Sequence, residues 1–287
     1  MKSVARARIG LIYWWRHGRW PELDRPRRFT EWVQWRKLND RNADRARLTD
    51  KAYSKRAAAI ALGDDFVVPT LWEGDSLPAV PPWRMPFVVK ANHGCGQVVI
   101  VRNAADYQRT RRISPQWLER AYGGWLDEWH YRHARRRILV EPFIGAVDTL
   151  PVDYKIYVFG GRAMMIQVHE GRGEYHRWSH YDRNWRPLSD NIEAAIAPQS
   201  LAAMLAAAEQ LGRGHDFLRV DLYEVNGAPA FGEFCLYPGS GLDPFDPPQL
   251  DHWLGAHWTA QHCEIQGRVS QRVTRALPDR MPKSNAF

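Results

Sequence analysis

Cysteine is scarce in this chain, and the three present, Cys95, Cys235 and Cys263, are scattered and odd in number. That excludes a disulfide framework and a zinc spacing, and it fits a reducing cytoplasm. No apolar run approaches the roughly 18–20 residues needed to span a bilayer. Ile9-Gly-Leu-Ile-Tyr-Trp-Trp15 is short and is followed by Arg16 and Arg19 without a small-residue cleavage site, so it does not read as a signal peptide. Glycine and proline are too few, and charge too ordinary, for global disorder. There are no internal repeats. The length suits one large domain or two lobes with ample residues for a core.

Acidic residues are short at the N-terminal end. Residues 1–50 hold thirteen Lys/Arg against six Asp/Glu, a surplus of seven in a chain whose net charge is +8. Three readings are open. The segment Ile9–Trp15 between basic residues would suit a membrane interface. A basic arm would also suit nucleic acid, although no nucleic-acid module pattern is visible. The plainer reading is a helical arm that packs its tryptophans on the main domain and solvates its arginines.

Elements follow from pattern. Helices are expected at 9–20, at 31–38 with Thr30 as N-cap, at 50–62 closed by Gly63, at 114–132 and at 198–211. Strands are expected at 67–72, 87–90, 97–101 and 138–141. Val152–Phe159 and Ala163–His169 should form a hairpin turned at Gly160-Gly161. The strands pair as hairpins without βαβ regularity, which predicts an α+β fold with antiparallel sheets. From about Glu264 the chain turns basic and Pro-containing, as expected of a frayed tail.

The chemistry concentrates in Arg219-Val-Asp-Leu-Tyr-Glu-Val-Asn-Gly-Ala-Pro-Ala-Phe-Gly-Glu233. It reads as two strands with one carboxylate each, Asp221 and Glu233, among apolar neighbours. Such carboxylates are costly unless paired or holding a cation. Mg²⁺ suits the pair, since it takes one or two carboxylates and fills its other positions with water and phosphate oxygens. A strict two-residue Asn226-Gly227 turn, however, pairs Asp221 with Gly232 and sends Glu233 to the opposite face. The metal reading therefore requires an extra residue or a bulge near Asn226–Pro229.

Three further segments carry polar groups at telling places. Lys90-Ala-Asn-His-Gly-Cys-Gly96 lies between two apolar strands, and its glycines suit either a plain hairpin turn or an anion nest. It is not a P-loop, because no Gly-Lys-Ser/Thr follows. Glu141-Pro-Phe-Ile144 ends a strand, with Asp148 seven residues beyond Glu141. This could be a purine slot with a ribose carboxylate, or a strand exit with a solvated Glu. Asp153, Lys155 and Tyr157 share one strand face. Lys155 there is either an edge protector or a phosphate ligand. The loop with Arg172, His176, Arg177 and His180 suits an acidic acceptor or simple solvation.

The order of these pieces resembles the ATP-grasp superfamily. More narrowly, the chain resembles the TupA-like branch found in cell-surface polysaccharide gene clusters. The resemblance runs from about Trp20 to Trp258. It includes Pro26-Arg-Arg-Phe-Thr-Glu31, Asp50-Lys-Ala-Tyr53, Phe87-Val-Val-Lys-Ala-Asn-His-Gly94, Glu128-Trp-His-Tyr131, Asp153-Tyr-Lys155, Arg219-Val-Asp-Leu-Tyr223 and Gly232-Glu233 with Pro238-Gly-Ser-Gly241.

The resemblance implies two α+β lobes with ATP between them and a helical N-terminal arm. The boundaries would be an arm at 1–48, a lobe with the Gly-rich loop and hinge at 49–145, a lobe with the metal site at 146–262, and a basic flexible tail at 263–287. Lys51 and Lys90 would touch phosphates, covered by the loop with Asn92, His93, Gly94 and Gly96. Glu141, Phe143 and Ile144 would form the adenine hinge, with Asp148 at the ribose. Lys155 would reach the phosphates, Arg219 would stabilise the transferred phosphoryl group, and Asp221 and Glu233 would hold Mg²⁺. Arg172, His176, Arg177 and Ser240 are candidates for substrate contact.

The implied activity is ATP-dependent carboxylate–amine ligation through an acylphosphate, in cell-surface polysaccharide or glycoconjugate synthesis. The expected substrates are small or glycan-linked. The expected setting is the cytoplasm, with membrane or assembly contact through the basic arm. Phosphotransfer to a sugar stays open. So does a catalytically weakened ATP-binding module, because Cys235 stands where many relatives have a metal-binding Asn. Trp32 stands where relatives commonly have a basic residue.

Overall fold

The computed structural model describes the backbone of residues 2–145, 150–171, 177–189 and 195–276. The described chain begins with α1 (Lys2–His17), α2 (Phe29–Asn39), the short α3 (Ala43–Arg47) and α4 (Lys51–Leu62). Next come β1 (Trp72–Gly74), β2 (Phe87–Ala91), β3 (Val98–Val101), α5 (Ala104–Glu119) and β4 (Ile138–Pro142). They are followed by β5 (Asp153–Phe159), β6 (Arg162–Glu170), β7 (Arg177–Asp182), α6 (Leu201–Gly212), β8 (Phe217–Val225), β9 (Ala228–Cys235) and α7 (Gln249–Ala276).

Two antiparallel sheets result. The smaller has the order β1-β4-β2-β3, the larger β7-β6-β5-β8-β9. This is the expected α+β class. The β5–β6 hairpin turns where expected, with Gly160 and Gly161 at φ 57° and 83°, a conformation that side-chain-bearing residues avoid.

Helix ends follow the local chemistry. The Asp50 carboxylate accepts from the Tyr53 amide at 2.9 Å and starts the Ala-rich α4 one residue before Lys51. Thr30 is not the N-cap of α2, as its position had suggested. It is the second residue of α2, after the N-cap Arg28, and its amide and hydroxyl donate to Asp251 of α7 at 2.9 and 2.8 Å. A tertiary carboxylate thus serves the N-terminus of α2. The helix expected at 114–132 lies earlier, because the Asn103 side chain caps it by accepting from the Asp106 amide at 2.9 Å. Trp129–His133 is a single 3-10 segment. The strand expected at 67–72 shortens to β1, and Val67 makes only an isolated parallel bridge to Phe231.

The main core lies between the large sheet and α2, α6 and α7. Phe29 meets Phe217 and Trp258 with ring centroids 4.9 and 5.3 Å apart. Trp32 stacks on Trp258 at 5.8 Å and donates to Thr259 at 3.0 Å, so it is a core residue. The N-terminal segment 1–48 therefore divides: α2 belongs to the central core, and α1 packs outside it, with Ile9 in a small cluster with Leu23 and Leu38. A second core under the small sheet joins Phe87, Val89, Tyr107, Ile138 and Val140. α7 runs through the expected start of the tail at 263 as far as Ala276. Among the described residues no helix is long and apolar enough to cross a membrane.

Candidate functional site

A cleft of about 1090 Å³ runs between the two sheets. That is at or above the upper end of the roughly 300–1,000 Å³ of small-molecule pockets, room for more than one ligand. Its floor is one face of the large sheet. Lys155 of β5 pairs with Asp221 of β8, and Asp221 pairs with Glu233 of β9, so three charged residues stand side by side.

The pairing of Asp221 with Glu233 depends on an irregularity. From the Asn226-Gly227 turn the register is regular, Val225 with Ala228 and Glu224 with Pro229, as far as Leu222 with Phe231. Gly232 is then the extra residue, and the ladder resumes with Asp221 opposite Glu233. The sequence required a bulge, and one is present, but it sits at Gly232 and not near Asn226–Pro229. A Cβ at Gly232 would stand 3.0 Å from the Asp221 carbonyl oxygen and 3.0 Å from the Tyr223 ring, which explains glycine at this point.

The carboxylates are held by cations. Arg219 donates twice to Asp221, at 2.7 and 2.6 Å, and Lys155 donates to it at 2.9 Å and also to Asp153. Burial pushes the Asp221 carboxyl up, but Arg219 and Lys155 outweigh it and hold it at about 2. Lys51 stands 3.2 Å from Glu233 and donates to the Gly94 carbonyl at 2.6 Å, which ties α4 to both the floor and the Gly-rich loop. Deeper in the small sheet, Lys55 and Lys90 each approach Glu141 at 2.6 Å. These lysines hold Glu141 below the ordinary carboxylate range against the opposing effect of burial.

Two carboxylates make a sparse metal site. Among the described residues no group of three or more His, Cys, Asp or Glu is placed to hold an ion. Burial pushes the Cys235 thiol up to about 12, so it stays protonated and is no hard ligand. The donor set offered by Asp221 and Glu233 is oxygen only and incomplete. It fits Mg²⁺, which completes its shell with phosphate oxygens and water, and it does not fit zinc.

The structure brings Lys51, Lys90, Gly94, Gly96, Glu141, Phe143, Ile144, Lys155, Arg219, Asp221, Glu233 and Ser240 to the cleft. It does not bring Asn92 or His93 there. Both are fully buried. Asn92 accepts from the Ala52 amide at 2.8 Å and donates to the Arg135 carbonyl at 2.7 Å, and a His93 ring nitrogen meets the Trp117 carbonyl at 2.8 Å. They brace the loop from behind. Arg177 lies exposed in β7, 3.7 Å from Glu170 and away from the cleft. Asp148, Arg172 and His176 fall outside the described residues.

Sequence reasoning missed Lys55, although its place one turn after Lys51 on α4 was a usable signal. It also missed the group behind Ser240. Lys37 of α2 donates to the Ser240 hydroxyl at 2.7 Å and to its carbonyl at 2.8 Å. Burial lowers the Lys37 ammonium to about 8, with Glu128 and Asp127 opposing that fall. Burial raises the Glu128 carboxyl, against the pull of Lys37 and of a hydrogen bond from Ser240. Glu128 and Ser240 both line the cleft, at the end bordered by Ile12, Trp15 and Arg16 of α1.

Residues 31–259 match a family model described as TupA-like ATPgrasp. Comparison with curated proteins finds no match. Among solved structures the chain is similar to D-alanine–D-alanine ligase from Bacillus anthracis complexed with ATP, at 17% identity over 78% of this chain and 68% of that one, with a TM-score of 0.48. It is similar to L-amino acid ligase from Bacillus licheniformis at 17% identity over 66% of this chain, with a TM-score of 0.43, and spans only 44% of that protein. It is also similar to the ATP-grasp ligase PsnB, complexed with a phosphomimetic variant of minimal precursor, Mg and ADP, at 12% identity over 82% of this chain and 66% of that one, with a TM-score of 0.42.

Proposed function

Because the chain belongs to the TupA-like ATP-grasp family, whose pattern covers residues 31–259, we propose that it is an ATP- and Mg²⁺-dependent ligase that joins a carboxylate to an amine. One observation carries the reading. Lys51, Lys155 and Arg219 converge with Asp221 and Glu233 on the floor of a single cleft between two sheets.

The chemistry asked of the protein is positioning and charge neutralisation. Lys51, Lys90 and Lys155 supply positive charge for a triphosphate, under the loop with Gly94 and Gly96. The rim at Phe143 and Ile144 gives an apolar slot for a purine. Arg219 is fixed by its two-point contact with Asp221 and would stabilise charge on the phosphoryl group in flight. Asp221 and Glu233 would hold Mg²⁺, which supplies further neutralisation of phosphate charge. The substrate carboxylate oxygen attacks the γ-phosphorus, the bond to ADP breaks, and an acylphosphate forms. The amine nitrogen then attacks the acyl carbon, loses a proton, and phosphate leaves. Ser240 and Glu128 line the end of the cleft left for these substrates. The setting in cell-surface polysaccharide synthesis rests on the family resemblance, with small or glycan-linked acceptors.

The test is mass analysis of products from Mg-ATP with mixtures of sugar carboxylates and amines. The expected products are ADP, phosphate and an amide, and Asp221→Asn should cut turnover by about 10²–10³-fold. A stable phosphoester product would identify a phosphotransferase and overturn the ligase reading.

A further inference from the structure

α1 carries apolar side chains on its outer side as well as its inner side. A helix packed on a domain buries its apolar side and points its charges outward. Here Arg8 and Arg19 turn toward the protein, while Arg6 and Arg16 stay exposed. Arg8 pairs with Asp127, Arg16 donates to the Leu242 carbonyl at 2.9 Å, and Arg19, just beyond the helix, reaches Asp251 at 3.1 Å. Ile9 and Tyr13 are buried on the inner side. The outer side carries Val4, Leu11, Trp14 and Trp15, which share one helical face, and the last three are 56%, 46% and 77% exposed. Trp20 follows, exposed, with its ring 6.2 Å from that of Trp14. The plain expectation fails for the tryptophans, since Trp14, Trp15 and Trp20 are exposed, whereas Arg6 and Arg16 are exposed as expected.

We propose that this outer face of α1 docks on an anionic membrane surface, with tryptophan and leucine at headgroup depth. Three observations select that occupant. Tryptophan beside leucine on one exposed face is the composition of an interfacial helix. α1 carries Lys2, Arg6, Arg8 and Arg16 and no acidic residue, within a segment that holds seven of the chain's eight surplus positive charges. The exposed Arg6 and Arg16 attract anionic lipid and oppose a second copy of the same face, which a two-fold dimer would set against itself. Nucleic acid is disfavoured because the face itself is apolar. The docked surface adjoins the cleft, since Trp15 and Arg16 line its α1 end. The acceptor end of the cleft therefore opens at the bilayer, where a lipid-carried substrate would arrive.

The full chain is mixed with vesicles of phosphatidylcholine, with and without phosphatidylglycerol, and sedimented. The wild type should pellet with the anionic vesicles and be released by added salt. The Leu11→Ser/Trp14→Ser double variant should bind about 10-fold less while its thermal stabilisation by Mg-ATP is unchanged. Wild-type protein that stays in the supernatant, or a variant that pellets equally well, overturns the proposal. So does a vesicle-free dimer that the same substitutions dissolve, because the face then belongs to a second copy.

Discussion

At the scale of single residues, burial and partners decide which groups titrate. Asp221, at about 2, and the cations around it keep their charges through the physiological range. The histidines behave differently. His180 is buried in β7, and burial lowers its imidazole to about 4. His93 and His130 are lowered for the same reason. An unfolded chain takes up a proton on such a residue near pH 6.5, while the folded chain refuses it down to about pH 4 for His180. More protons on the unfolded side means that stability falls as pH drops through this window. Urea unfolding should show the loss between pH 6.5 and 4, and His180→Gln should reduce the slope by up to about 1.4 kcal/mol per pH unit. Parallel curves for the two proteins would contradict the assignment.

At the scale of elements, the central event is the one-residue bulge at Gly232. Without it Glu233 faces away from Asp221, and the site has one carboxylate. Gly232→Ala puts a methyl group at 3.0 Å from a backbone oxygen, which can move only with the strand. The expected cost is about 1–3 kcal/mol of stability in denaturant titration, with weaker Mg-ATP binding as β9 shifts. Unchanged stability and affinity would mean that the register does not depend on the glycine.

The same strand pair marks what the sequence could reveal. Strand alternation was enough to put Asp153, Lys155 and Tyr157 on one face, and it required a bulge to unite Asp221 with Glu233. It could not say where the bulge lay, because that depends on how a Cβ would meet the neighbouring strand. Local pattern also failed at Thr30, whose capping role went to Asp251 some 221 positions away. The family resemblance counted Asn92 and His93 among the ligand contacts, and nothing local tells a loop-bracing side chain from a cleft-lining one. Lys37 lies within the helix expected at 31–38, and only tertiary packing sets it against Ser240.

At the scale of the molecule, the cleft exists because buried charge networks lock its walls. Arg36 of α2 donates to Asp216 at 2.7 Å, and Trp258 of α7 donates to the other oxygen at 3.1 Å. Lys51 and the bridge of Val67 to Phe231 join α4 and the small-sheet half to β9 of the large sheet. The central claim is that the space between the sheets binds Mg-ATP. The measurement that tests it most directly is thermal unfolding with and without Mg-ATP, for the wild type and for Lys51→Met/Asp221→Asn. Ligand at about 100 times its dissociation constant should add about 2.7 kcal/mol to the wild type, raise its melting temperature by a few degrees, and leave the variant unshifted. A wild type whose melting temperature does not respond to Mg-ATP would contradict the account.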